Sequence, residues 1–181
     1  MIPKLNPHDA SNILKKGGTA IYPTEGIYGL GCDPFNSESV ENIFKAKGRS
    51  KNKSFIILGS DIKYFDNIID NTYLMDESLQ SINFTTWIVP CNKSCPPWLK
   101  KDNTVAIRLT RHETVMLLCK YMNTPIISTS ANLSNCKYDD DLKNIEKVFE
   151  KKIDCIVTGQ LGNERKPSTI KNIITKEVIR A

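Results

Sequence analysis

No apolar run in the 181 residues approaches the roughly 20 that a membrane-crossing helix requires, so no membrane association is expected. Histidine is nearly absent, with only two residues, which argues against a histidine-rich metal centre. The six cysteines (Cys32, Cys91, Cys95, Cys119, Cys136 and Cys155) are scattered, several within apolar runs. Cys91 and Cys95 have a spacing near that of metal-ligand pairs, but no second pair completes four ligands, so no metal site is expected. Nothing at the N-terminus resembles a secretory signal, and reduced thiols in the cytoplasm are the expectation. No internal repeat, low-complexity linker or second-domain boundary interrupts the chain. Residues 1–181 read as a single domain, long enough to bury a real core.

What is present is an ordinary globular composition with a net charge of +5. That balance favours anionic partners such as nucleotides or nucleic acid, although a solvated lysine-rich surface would give the same sum. The stretch Ile21 to Asp33 anchors the reading. Thr19 to Tyr22 forms a buried strand, and Pro23 ends its ladder by removing an N–H donor. Beyond it Thr24 and Glu25 offer a hydroxyl and a carboxylate. Gly26, Gly29 and Gly31 let the backbone turn or approach a ligand closely, with a plain structural turn as the alternative.

Around this anchor, helical and extended segments alternate. Asn6-Pro7 starts a helix that stops at Lys16 before two glycines. Ser37 caps a second helix, with Val40, Ile43 and Phe44 on its apolar face, running into Gly48. Ser54 to Leu58 reads as a strand, and Asp61 to Asp70 and Tyr73 to Ile82 as helices, with Ile62, Phe65 and Ile69 facing inward. Phe84 to Val89, Thr104 to Leu109, Pro125 to Thr129 and Ile153 to Val157 follow as strands. His112 to Tyr121 and Leu142 to Phe149 follow as helices, the acids Asp139 to Asp141 complementing the start of the latter. His112 is read as a capping or packing residue, and Trp87 and Trp98 as core or rim. Ser168 to Ile174 and Glu177 to Arg180 are extended. The interleaving predicts a mixed α/β sheet covered by helices.

Two further stretches carry chemistry. Lys45 to Lys53 holds five cations with no intervening acid. In an extended chain, period two would gather the later ones into a phosphate-binding patch, with Arg49 able to grip an oxyanion by its fork. A solvated connector is the alternative. Pro125 to Ser134 delivers Ser128, Ser130, Asn132 and Ser134 from a strand end into a loop, where ligands of open α/β sheets tend to bind. A capped turn is the bland counterpart there.

Five stretches, in order along nearly the whole chain, resemble the YrdC-like family, the threonylcarbamoyl-AMP synthases. They are Tyr22-Pro-Thr-Glu-Gly-Ile-Tyr-Gly-Leu-Gly31, Lys47-Gly-Arg49 as the family's Lys-x-Arg, Val105-Ala-Ile-Arg108 with His112, Ser128-Thr-Ser-Ala-Asn132 as its Ser-x-Asn, and Pro167-Ser-Thr-Ile170. The resemblance implies a three-layer fold, a twisted mixed sheet flanked by helices with a concave, basic cleft. It also implies condensation of L-threonine, bicarbonate and ATP to threonylcarbamoyl-AMP and pyrophosphate. A downstream transferase complex would then carry the threonylcarbamoyl group to tRNA, and direct tRNA binding by this chain is a further possibility.

Carried over by position, Lys47, Arg49, Ser130 and Asn132 would be catalytic and hold the ATP phosphates, with Lys53, Thr86 and Arg180 also at the nucleotide. Thr24, Arg108, Ser128 and Ser168 would border the threonine. Magnesium would accompany ATP, with no tightly bound cofactor. The sequence departs from the family where Trp-Pro-Gly-Pro usually precedes the threonine equated with Thr86, reading Ser81 to Phe84 instead. Ser50 stands in place of a common proline, and Gly26 in place of a threonine or alanine. A chain ending at Ala181 corresponds to the family's short form. The rival readings are a non-catalytic tRNA- or double-stranded-RNA-binding module on the same fold, and a different carbamoyl- or phosphate-handling enzyme. The Lys-x-Arg and Ser-x-Asn pair favours the synthase, because plain RNA binding needs no hydroxyl-amide loop facing the cations.

Overall fold

The computed structural model describes residues 1–80, 84–164 and 166–181. A two-residue strand, β1 (Lys4–Leu5), leads into helix α1 (Pro7–Lys15). Asn6 caps it, its side-chain oxygen accepting from the Asp9 N–H at 2.9 Å, and Pro7 takes the first position, where a missing N–H costs nothing. Strands β2 (Thr19–Pro23) and β3 (Tyr28–Cys32) form an antiparallel pair. Helix α2 (Ser37–Lys47) is capped by Asn36, one residue before the expected Ser37, because the Asn36 amide oxygen reaches the Ser39 N–H. It ends at Gly48, in the left-handed region at φ 58°. There follow β4 (Ile56–Gly59), a short helix α3 (Glu77–Gln80), β5 (Thr85–Pro90) and β6 (Thr104–Leu109). Helix α4 (Glu113–Met122), β7 (Ile126–Ser130), helix α5 (Leu142–Phe149), β8 (Cys155–Val157), β9 (Thr169–Asn172) and β10 (Val178–Arg180) complete the chain.

Among the described residues ten strands make one mixed sheet in the order β1-β8-β2-β3-β7-β4-β6-β5-β9-β10. Strand β7 joins its halves by changing partners: Ile126 to Ser128 pair with β4, and Thr129 and Ser130 pair with β3. One face carries Tyr22, Leu58, Ile126 and Val157 into a layer built from Ala10 and Leu14 of α1 and Val115, Leu118 and Met122 of α4. The other carries Ile21, Leu30, Ile57, Ile107 and Ile127 against Val40 and Ile43 of α2, Ile145 and Phe149 of α5, and Phe65, Ile68 and Ile69. Each such fully buried large side chain contributes about 1.5–3 kcal/mol. The three expected layers are therefore present.

The helices expected over Asp61 to Asp70 and Tyr73 to Ile82 are not continuous. Ile62–Phe65 and Asn71–Tyr73 are single 3-10 turns, each started by an aspartate whose carboxylate accepts from the N–H two residues on, Asp61 from Lys63 and Asp70 from Thr72. The segment is drawn instead to the sheet's end, where the Asp70 N–H bonds to Pro90 O and Ile69 bridges to Cys91. The expected burial nevertheless holds: Phe65 and Ile69 are fully buried and Ile62 packs on the core. Ser81, Ile82 and Asn83, which complete the second expected helix and begin the departure from the family's Trp-Pro-Gly-Pro, lie outside the described residues. Strand β4 begins at Ile56 rather than Ser54 because the Arg49 side chain takes the Ser54 carbonyl at 2.7 Å.

The glycine-rich stretch is also corrected. Tyr28 to Cys32 is a strand, and a Cβ on Gly31 would overlap the Ile127 carbonyl of β7. This glycine admits a neighbouring strand, not a ligand. The Lys45 to Lys53 run does not form an extended period-two patch either: Lys45 and Lys47 lie in the last turn of α2, and the later cations fall on a turn closed by the Lys53 N–H to Ser50 O bond at 3.2 Å.

Candidate active site

A cavity of about 240 Å³ opens on the sheet face that carries Leu58 and Ile126 into the α1–α4 layer. Every residue lining it lies on a strand or a loop. Alternation along β6 and β7 explains the selection. Ala106 and Arg108 face the cavity while Ile107 faces the opposite core, and Ser128 and Ser130 face it while Ile127 does not. Register sets the floor, because Ile88, Ala106, Ile56 and Ser128 stand side by side across β5, β6, β4 and β7. Thr24 and Ile27 enter from the β2–β3 connection, Arg49 and Phe55 from the α2–β4 connection, Ser168 from just before β9, and Ile170 and Arg180 from the last two strands.

Among the described residues three guanidiniums reach this space, each hydrogen-bonded to one partner. Arg49 donates to Ser54 O, lies 5.1 Å from the Phe55 ring centre, and leaves its buried Nε without a partner among the described residues. Arg180 donates through Nε and Nη2 to Ser168 O at 3.2 and 2.7 Å. Arg108 donates through Nη2 to Glu25 at 2.9 Å and lies 4.7 Å from the Phe84 ring centre. Burial lowers the pKa of all three, and at Arg108 the Glu25 carboxylate opposes that shift. Arginine remains charged under such shifts. The hydroxyls of Thr24, Ser128, Ser130 and Ser168 complete the polar lining.

The remaining expected residues stand behind the cavity or away from it. Lys47 is 2% exposed, and its Nζ donates to Ser130 O at 2.5 Å and Asn132 O at 2.6 Å. Burial, and then the neighbouring Arg49 charge, bring its pKa down to about 7. Asn132 is also internally engaged: Oδ1 accepts from the Ser130 hydroxyl at 2.6 Å and Nδ2 donates to Cys136 O at 2.6 Å. Lys47 and Asn132 thus tie the end of α2 to the end of β7, which presents Ser130. Thr86 is fully buried beneath Ser168, the two hydroxyls 2.7 Å apart. Lys53 bonds to Asn135 and lines a separate groove with Lys51, Trp98, Lys100 and Lys101. His112 occupies the cap position of α4 without a capping bond, its Nε2 lying 2.9 Å from Gln160 O.

Sequence reasoning gave Glu25 no role, although it stands inside the anchor stretch. Its Oε1 accepts from the Thr110 hydroxyl at 2.5 Å and its Oε2 from Arg108, residues brought to it from β6 and just beyond. Phe84 and Phe55, which stack on two of the arginines, were likewise missed; an aromatic beside a strand carries no signal that separates core from cavity wall.

The family model for Sua5, YciO and YrdC, described as telomere recombination, matches residues 12–181. The chain belongs to the Sua5/YciO/YrdC family. Within it, a threonylcarbamoyl-AMP synthase of Coxiella burnetii (strain RSA 493 / Nine Mile phase I) is 37% identical over 179 residues, covering 96% of this chain and 95% of that one. A threonylcarbamoyl-AMP synthase of Pseudomonas aeruginosa (strain UCBPP-PA14) is 34% identical over 186 residues, covering 99% of both. The Sua5/YciO/YrdC fold is shared with P. abyssi Sua5 complexed with L-threonine, at a TM-score of 0.85 and 23% identity, over 96% of this chain and 54% of that one. It is shared too with E. coli YciO, at 0.83 and 23% identity, over 99% of this chain and 94% of that one. No helix among the described residues is long and apolar enough to cross a membrane.

Proposed function

We propose that this protein is a threonylcarbamoyl-AMP synthase, condensing L-threonine, bicarbonate and ATP to threonylcarbamoyl-AMP and pyrophosphate. The observation that carries the reading is one cavity joining Arg49, Arg108 and Arg180 to the hydroxyls of Thr24, Ser128, Ser130 and Ser168, in a chain whose near full-length relatives bear that name. Two anionic substrates must meet, and a concave site with three guanidiniums is suited to hold them together against their mutual repulsion.

In this reading the threonine nitrogen bonds to the carbon of bicarbonate, with loss of water, to give a carbamate. A carbamate oxygen then attacks the α-phosphorus of ATP, and the bond to pyrophosphate breaks. Arg49 and Ser130 hold phosphate oxygens, and Arg180 flanks the nucleotide. Arg108, Thr24, Ser128 and Ser168 hold the threonine end. Lys47 and Asn132 act by fixing the end of β7, which carries Ser130. No covalent nucleophile is required: aligned reactants and fixed charges supply the acceleration. Among the described residues no cluster of three His, Cys, Asp or Glu side chains could cage a metal, and the cavity lining contains no carboxylate. That donor set fits magnesium carried on the ATP phosphates and water, where it would neutralise phosphate charge.

The product would be the first intermediate of threonylcarbamoyladenosine formation in tRNA, passed to a downstream transferase complex, in the cytoplasm. Residues 1–181 would act as a single domain. The test is pyrophosphate release by purified protein with ATP, magnesium and bicarbonate, with and without L-threonine, followed by mass analysis for threonylcarbamoyl-AMP. Product that requires both threonine and bicarbonate supports the reading. Salt-sensitive tRNA binding without ATP consumption would replace it with the RNA-binding one. Arg49→Ala should abolish pyrophosphate release while far-UV circular dichroism stays unchanged; near-normal turnover would remove Arg49 from the phosphate site.

A further inference from the structure

Arg108 is a guanidinium with more donors than partners. It is 5% exposed, lines the cavity, and spends Nη2 on Glu25, while Nε and Nη1 are buried with no partner among the described residues. A buried charged donor left unpaired is costly, so such an arrangement persists where a ligand completes it. What keeps the guanidinium in place is Glu25. Both carboxylate oxygens are engaged, by Thr110 at 2.5 Å and by Arg108 at 2.9 Å. The backbone of Glu25 is itself pinned, its carbonyl accepting from the Glu164 N–H at 3.0 Å and the preceding Thr24 carbonyl from the Gly162 N–H at 2.9 Å. Phe84 lies 4.7 Å from the Arg108 carbon on which the guanidinium charge is centred. The side chain is thus held by one hydrogen bond and one aromatic contact, and its other donors stay uncommitted.

We infer that Glu25 is a positioning residue for anion recognition: it fixes the Arg108 guanidinium in the cavity wall, where it meets the carboxylate of an amino-acid substrate. Glu25 itself touches neither substrate nor reacting atoms. Its charge also offsets that of Arg108, which lowers the cost of burying the guanidinium. This inference rests on the synthase reading for the identity of the ligand and deepens it at one end of the site.

The test is a double-variant cycle read by calorimetric titration of L-threonine and, separately, of ATP. Glu25→Gln keeps the size of the side chain and removes its charge, and should weaken L-threonine binding roughly tenfold or more, the worth of a charge-assisted contact. ATP affinity should stay within about twofold, because the nucleotide is held at the other end. Combined with Arg108→Lys, it should add little to the loss from Arg108→Lys alone, since both act on the same contact. Equal losses for L-threonine and ATP, or losses that sum in the double variant, would overturn the inference in favour of a general structural role. Should Glu25→Gln fail to fold, Thr110→Ala loosens the carboxylate from its other side and should give a smaller loss confined to L-threonine. If the unaltered protein binds no L-threonine, the synthase reading fails instead, and the same cycle is run with whichever of L-serine, L-valine and L-aspartate binds; absence of any carboxylate ligand overturns the positioning role as well.

Discussion

At the scale of single residues, Lys47 best shows how burial changes the meaning of a motif. As a member of a Lys-x-Arg pair it reads as a phosphate ligand, yet its ammonium is spent on the carbonyls of Ser130 and Asn132. Burial favours the uncharged amine, which is why its pKa falls to about 7 from 10.5. The consequence for stability has a definite sign. Between about pH 7 and 10.5 the unfolded chain binds a proton at this lysine that the folded chain does not, so stability rises with pH across that window. Raising the pH from 7 to 9 should therefore add on the order of 2 kcal/mol relative to Lys47→Met, which has no proton to lose. Urea unfolding of both proteins at the two pH values measures this difference. Equal pH slopes would mean that Lys47 stays charged in the fold, sustained by its two carbonyl partners.

At the scale of elements, the union of the two half-sheets through β7 depends on the absence of a side chain on β3. Gly31→Ala would drive a methyl into the Ile127 carbonyl, a backbone atom of a central strand that cannot turn aside. The expected cost is about 3 kcal/mol, at the upper end for overpacking. Gly48 gives the contrasting case. A Cβ there meets nothing within 4 Å, but the residue ends α2 at φ 58°. Gly48→Ala should cost only about 1–2 kcal/mol, through left-handed backbone strain alone. Denaturant unfolding of the two variants separates the mechanisms, and Gly48→Asn should recover part of the second loss but has no counterpart for the first. Similar costs for both glycines would mean that β7 can shift away from β3 without penalty.

At the scale of the whole molecule, the cavity draws on β3 to β7 and on β9 and β10, so it exists only when the sheet is complete. Residues 1–181, taken as one domain, should unfold in a single transition. Trp87 sits on β5 and Trp98 beyond it, so their fluorescence and far-UV circular dichroism should lose signal at the same urea concentration. Separated midpoints would show that the halves joined by β7 unfold independently and that the cavity is lost before the fold.

The sequence by itself determined what depends on a few neighbouring residues. The Asn6-Pro7 start and the glycine exit of α1, the Gly48 stop of α2, the start of α5 after its acids and the runs that became β2, β6 and β7 were legible because caps, breakers, end charges and periodicity act locally. So were the motifs by which the chain resembles its family. The tertiary structure alone decided where those motifs point. Glu25 meets Arg108 across 83 residues, and Lys47 reaches Ser130 across the same separation. Gly31 serves strand packing because β7 happens to lie against it. The segment from Asp61 to Tyr73 gives up regular helix for contacts with the end of β5. Each outcome is settled by contacts between distant stretches, whose energies outweigh local preference once the sheet brings them together.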